Sequence, residues 1–218
     1  MDVLIAGGHG KIARHLIRIL AVQGHTARGL IRNPDHAADI EADGGTAVPC
    51  DLERDDVAPH ARGADAIVFA AGAGPGSGPE RKQTVDFGGA VRCIEAAEAL
   101  GVRRFLMVSS IGAHDPEGAS EAMRPYVRAK AAADERLAAT GLDWTIVRPG
   151  SLRDEPGTGR VDLSTELGRR GTVPREDVAS VLAELLGTGA GVHVTAELFT
   201  GEVPIAQSVR ELESRSTA

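Results

Sequence analysis

Apolar positions along this chain fall in short runs separated by stretches with a helical pattern. Residues 2–6, Asp2-Val3-Leu4-Ile5-Ala6, form a run with β-branched members and predict a buried strand. Residues 11–20 then set Ile12, Leu16, Ile19 and Leu20 on one side, the spacing of an amphipathic helix. The alternation repeats, predicting strands over 26–32, 46–50, 66–71, 104–109 and 143–148. Between them the pattern predicts a short helix over 35–42, a weak one over 55–62, a long one over 80–100 and another over 125–140. In the long helix Val91, Ile94, Ala97 and Leu100 share a face, and Gly141 stops the helix before it. The run 66–71 is apolar throughout, as a central parallel strand covered on both faces should be.

This order predicts an α/β fold: a Rossmann-type doubly wound parallel sheet, single domain, with a short C-terminal extension. Ligands then bind at the carboxyl ends of the strands. Beyond Gly150 the pattern loosens into a loop-rich stretch over 151–172, a helix over 174–186 and a last strand over 192–200. The expected domain is 1–206, with its substrate-side extension starting near 151 and a polar tail over 207–218 that either frays or forms a terminal helical turn.

The first strand–helix junction carries the first chemical signal. Gly7-Gly8-His9-Gly10 follows the strand at once. Gly7 suits the positive φ of a tight turn, Gly10 leaves the backbone open to a pyrophosphate, and Ala13 is small where the helix passes the strand. The helix start then points free N–H groups and a positive dipole end at phosphate. Gly7, His9, Gly10, Lys11 and Ile12 are the expected contacts. At the end of the second strand an acid would hold the ribose 2′-hydroxyl of NAD. Leu30-Ile31-Arg32-Asn33 has none, and Arg32 suits a 2′-phosphate, so the expected cofactor is NADP(H). Asp51 and Leu52, after the third strand, fall where the adenine lies, although Asp51 is equally placed to cap the next helix. Ala70, Ala71 and Gly72 end the fourth strand on the cofactor side.

Ser109 and Ser110 follow the fifth strand, and Tyr126 and Lys130 are four apart on the next helix. A lysine ammonium beside a phenol lowers the phenol's pKa and makes it a usable acid toward a carbonyl receiving hydride. A serine hydroxyl opposite can hold the carbonyl oxygen. The glycine-rich loop 72–78 and the loop 154–160 are candidate lids.

Composition narrows the partners. The formal charge is −7, which disfavours a nucleic-acid surface, and no apolar run is long enough to span a membrane. The glycine turn arrives too early for a secretory leader, so a cytoplasmic location is expected. Two cysteines, Cys50 and Cys93, have no metal-ligand spacing. The expected partner is a small-molecule substrate, with no nucleic acid and no membrane; nothing in the pattern fixes an oligomeric state.

Residues 7–13, Arg32, Asp51-Leu52, residues 85–90, Val108-Ser109-Ser110, Tyr126 with Lys130, and residues 145–150 together carry a resemblance. The chain resembles a short-chain dehydrogenase/reductase of the small atypical type, related to NAD(P)-dependent epimerases/dehydratases and NAD(P)H-binding proteins. The resemblance implies hydride chemistry at a nicotinamide and a Ser–Tyr–Lys centre. Ser110 would orient the carbonyl, with Ser109 the alternative and a cofactor contact. Tyr126 would be the acid/base and Lys130 its partner, also bonding the cofactor ribose. Pro149, Gly150 and Leu152 would line the nicotinamide carboxamide. Asp86 stands where the larger family usually has asparagine; the aspartate either pairs with Lys130 or changes the lysine's role, the other reading being an ordinary acid at a helix start. The implied function is an NADP(H)-dependent oxidoreductase acting on a small carbonyl compound. Its alternatives are a non-catalytic NADP(H)-binding redox sensor and an epimerase or dehydratase using bound NAD(P). Fewer than seventy residues follow Gly150, which disfavours a nucleotide-sugar substrate.

Overall fold

A computed structural model of the chain describes residues 1–74 and 76–216. In chain order it contains β1 (Asp2–Ala6), α1 (Lys11–Val22), β2 (Thr26–Ile31), α2 (Ala37–Ala42), β3 (Thr46–Pro49), α3 (Ala58–Ala61), β4 (Ala66–Phe69) and α4 (Pro79–Arg81). A π-helical segment, Lys82–Gly89, leads into α5 (Ala90–Leu100). There follow β5 (Arg104–Val108), α6 (Arg124–Ala138), β6 (Asp143–Pro149), β7 (Ser151–Arg153), β8 (Arg160–Ser164), β9 (Thr172–Pro174) and α7 (Arg175–Thr188). The last elements are β10 (Val194–Thr200), β11 (Val203–Pro204) and α8 (Ile205–Ser216).

Nine strands among the described residues make one sheet in the order β11-β8-β10-β6-β5-β4-β1-β2-β3. From β3 to β10 every pairing is parallel, and β8 and β11 join antiparallel at one edge. This is the Rossmann-like α/β fold expected. Strand pleating divides the core: Val3 and Ile5 face one layer, Leu4 and Ala6 the other. The first layer holds Leu16 and Ile17 of α1 with Val178, Val181, Leu182 and Leu185 of α7; the second holds Ile94 and Ala97 of α5 with Leu137 of α6. No helix among the described residues is long and apolar enough to cross a membrane.

Three elements depart from the sequence pattern. The expected helix over 80–100 is interrupted by the π-helical segment. Gly88 and Gly89 weaken the α-helix there, and the wider turn carries Asp86 fully into the interior. The loop-rich stretch 151–172 contains β7 and β8 and ends in β9. The polar tail over 207–218 is a docked helix through Ser216, because Ile205, Val209 and Leu212 reach the core at helical spacing. Thr217 and Ala218 lie outside the described residues.

Candidate cofactor and active site

The β1–α1 turn depends on close backbone approach. Gly7 has φ +80°, and a Cβ on Gly8 would meet the Gly29 Cα at 2.6 Å. Gly10 is extended at the start of α1, and no side chain caps the helix. The first N–H groups of α1 have no intrahelical acceptor and are open to an anion. A cleft of about 350 Å³ runs from this turn along the sheet's carboxyl edge. Gly7, His9, Gly10, Arg32, Asp51, Leu52, Ala70, Ala71 and Gly72 all line it. A narrow cleft between an open helix start and an arginine at the end of β2 fits a dinucleotide: phosphate at α1, adenosine toward Leu52.

Several side chains converge at the adenosine end. Arg32 is more than half exposed, and its Nη1 lies 3.5 Å from Glu53 Oε2. Glu53 also accepts from Arg81 Nη2 at 3.0 Å and from Thr84 Oγ1 at 2.6 Å, and these bonds hold its carboxyl below the usual range. His9 stacks on His36 with ring centroids 3.6 Å apart, and its Nε2 lies 2.7 Å from Asp39 Oδ2. Asp51 spends one carboxylate oxygen on the Glu53 N–H at 3.0 Å, so its local role is to cap the turn.

The same carboxyl edge, farther along toward β5, carries a polar cluster. Tyr126 and Lys130 lie on α6, and the Ser110 hydroxyl acts on the Tyr126 phenol, favouring its ionised form. Lys130 Nζ donates to the carbonyls of Ala71 at 3.2 Å and Val108 at 3.1 Å, the ends of β4 and β5. Asp86 Oδ1 faces it at 3.7 Å, while Asp86 Oδ2 accepts the Ala73 N–H at 3.0 Å. Burial pushes the Lys130 pKa down against the pull of Asp86 and Asp134. The phenol is not the lowered acid that the Tyr–Lys spacing predicts. Burial first, then the Asp86 charge, pushes Tyr126 up to about 12, with the Ser110 hydroxyl opposing them.

Other expected contacts sit elsewhere, for steric and hydrogen-bonding reasons. The Ser109 hydroxyl donates to Asp134 Oδ2 at 2.8 Å and is therefore committed to the interior. The Ile12 side chain belongs to the core, with α1 presenting its backbone to the cleft instead. Lys11 pairs with Asp154, which also accepts from Arg175 Nη1 at 2.5 Å. Gly150 is buried beneath Phe199, where a Cβ would lie 2.6 Å from the ring; Pro149 is buried beside it. Leu152 pairs with Val173 in the small β7–β9 sheet and packs on the core. Pro149, Gly150 and Leu152 thus lie outside the lining of the cleft. The loop 154–160 is not free: the Thr158 and Gly159 N–H groups both donate to Asp177 at 2.9 Å, and Gly157 N–H donates to Glu176 at 2.8 Å. In the loop 72–78, Pro75 lies outside the described residues.

Asp134 was not among the expected site residues. It lies four residues beyond Lys130 on the same helix, accepts from Ser109 and from Arg148 Nε at 2.9 Å, and is 3% exposed. Burial raises its pKa while Arg148 opposes that. The available signal was the i, i+4, i+8 spacing of Tyr126, Lys130 and Asp134 on one helix face.

Comparison with known proteins accords with this geometry. A family model described as NAD(P)H-binding matches residues 7–188. The chain is 39% identical over 215 residues to a protein of Bacillus subtilis (strain 168) named as an uncharacterized sugar epimerase, YhfK, covering 97% of this chain and 100% of that one. A solved Bacillus halodurans structure, described provisionally as an NAD-dependent epimerase/dehydratase, is 39% identical with TM-score 0.93, covering 97% of this chain and all of that one. The structure of the oxidoreductase ylbE from Lactococcus lactis is 29% identical with TM-score 0.85, covering 97% of this chain and 96% of that one. The fold and the match define a nicotinamide-dinucleotide-binding protein of the oxidoreductase and epimerase-like kind. The chain belongs to the NAD(P)H-binding family, an atypical branch resembling the short-chain dehydrogenases/reductases.

Proposed function

We propose that this protein is an NADP(H)-dependent oxidoreductase that reduces a small carbonyl compound. The observation that carries the reading is Tyr126, with the Ser110 hydroxyl acting on its phenol and the buried Lys130–Asp86 pair one turn later, beside a cleft whose lining reaches Gly72, Ala73 and Val85. A bound cofactor would supply hydride to the carbonyl carbon. Ser110 would hold the carbonyl oxygen, and Tyr126 would give it a proton as negative charge develops there. Lys130, fixed by the Ala71 and Val108 carbonyls and by Asp86, would stabilise the resulting phenolate and bond the ribose. A raised phenol pKa keeps Tyr126 protonated until negative charge develops on the substrate oxygen.

Arg32 supports the 2′-phosphate preference. Its side chain is exposed at the cleft, it follows β2 with no acid beside it in sequence, and its long contact with Glu53 leaves it free to swing onto a phosphate. The catalytic part is tested by following NADPH consumption against small aldehydes, ketones and quinones. Turnover of at least one, abolished in Tyr126→Phe with cofactor binding retained, is expected. Tight NADPH binding with no consumption across the panel would favour a redox sensor instead.

A further inference from the structure

We infer that Lys82 is a second cationic partner of Tyr126, a positioning residue that reaches the phenol from the π-helical segment and ties it to the loop after β4. The inference rests on Tyr126 being the proton donor of the proposed reaction. Lys82 opens the segment and Asp86 lies four residues on. Both reach α6: Asp86 faces Lys130, while Lys82 Nζ lies 5.4 Å from the centre of the Tyr126 ring. The ammonium donates to the Gly74 carbonyl at 2.8 Å and forms no ion pair among the described residues.

A cation on the face of a phenol is drawn to the ring, and more strongly once the phenol has lost its proton. The groups acting on Tyr126 otherwise oppose ionisation. Asp86 from the π-helical segment and Asp134 from α6 both push the phenol up, and only the Ser110 hydroxyl counters them. Lys130, one turn along α6, is drawn toward Asp86 and two strand-end carbonyls. Lys82 therefore supplies positive charge at the ring face that Lys130 does not. Its charge also opposes that of Lys130, which places both ammonium groups in one electrostatic site. The bond to the Gly74 carbonyl holds the Lys82 ammonium between the backbone after β4 and the ring face.

Tyr126 is the single tyrosine of the chain, so a tyrosine label reports this site alone. The full-length protein is prepared with a fluorinated tyrosine, which brings the phenol's ionisation into the range where the fold persists. Its midpoint is then read by fluorine NMR, with far-ultraviolet circular dichroism confirming the fold at each pH. Lys82→Gln is expected to raise the midpoint by about 0.5 pKa unit, roughly a threefold loss in acidity. Lys82→Arg, which keeps a cation over the ring, is expected to restore most of it. A Lys82→Gln curve superimposed on the parent's would overturn the inference. So would an Arg variant that shifts as far as the Gln variant. The titration needs no substrate, so a failed reduction panel and an unmoved titration are separate results.

Discussion

Burying a phenol among carboxylates has consequences for stability as well as for proton transfer. Tyr126 holds its proton in the folded state up to about 12, against 10.0 for an ordinary tyrosine. Between those values the folded protein binds more protons than the unfolded chain, so stability falls as pH rises through that window. Urea unfolding at about pH 9 and about pH 11 should show a loss for the parent that is smaller in Tyr126→Phe, other groups being common to both. Equal losses would place Tyr126 in an ordinary environment. Asp86 is the second test at this scale. Asp86→Asn removes the charge facing Lys130 but keeps the shape, so it should displace the pH–rate profile; an unmoved profile would leave Asp86 a packing residue. The Asp86–Lys130 pairing was legible as one of the consequences of the family resemblance, which marks Asp86 as standing in place of an asparagine. The fate of Ser109 was not legible, since two adjacent serines differ only in which way the chain turns after Val108.

At the scale of elements, the strand ends do more than frame the cleft. Arg104, at the start of β5, donates to the Asp143 and Ala190 carbonyls at 2.9 and 2.7 Å, to Thr145 Oγ1 at 2.9 Å and to the Leu185 carbonyl at 3.2 Å. It thereby fastens β5, β6 and the end of α7 together, and burial lowers its pKa to about 10. Arg104→Met should cost roughly 2–3 kcal/mol, because buried carbonyls lose their donor. A denaturation midpoint within error of the parent's would contradict this. The sequence made the central strands plain, since each is a continuous apolar run. It hid β7, β8 and β9, which are only three to five residues long and lie outside the parallel run: β7 and β9 pair with each other, and β8 joins β10 antiparallel. It also hid α8, whose Ile205, Val209 and Leu212 have helical spacing but lie among polar residues. The π-helical segment was illegible for another reason: Gly88 and Gly89 mark a weak helix, but periodicity does not record that the turn widens there rather than breaks.

Across the whole molecule, the proposed function divides the work between two neighbouring places on the sheet's carboxyl edge. In that proposal the cleft lined by Arg32, His36, Glu53 and Arg81 would select the cofactor, and the Tyr126, Lys130 and Asp86 cluster beside it would transfer the proton. A net charge of −7 gives phosphate no general attraction to this surface, so affinity for a 2′-phosphate has to come from local cations. Arg32 and the glycine turn were visible in the sequence, whereas Arg81 and His36 enter the cleft from separate elements that only the folded chain brings together. The most direct test of the account is calorimetric titration of the parent and of Arg32→Ala with NADPH and with NADH. The account predicts tighter NADPH binding by the parent and a loss of about 1.5–3 kcal/mol for NADPH in the variant, with NADH little changed. Equal affinities for the two cofactors in the parent, or a variant that weakens both alike, would contradict it.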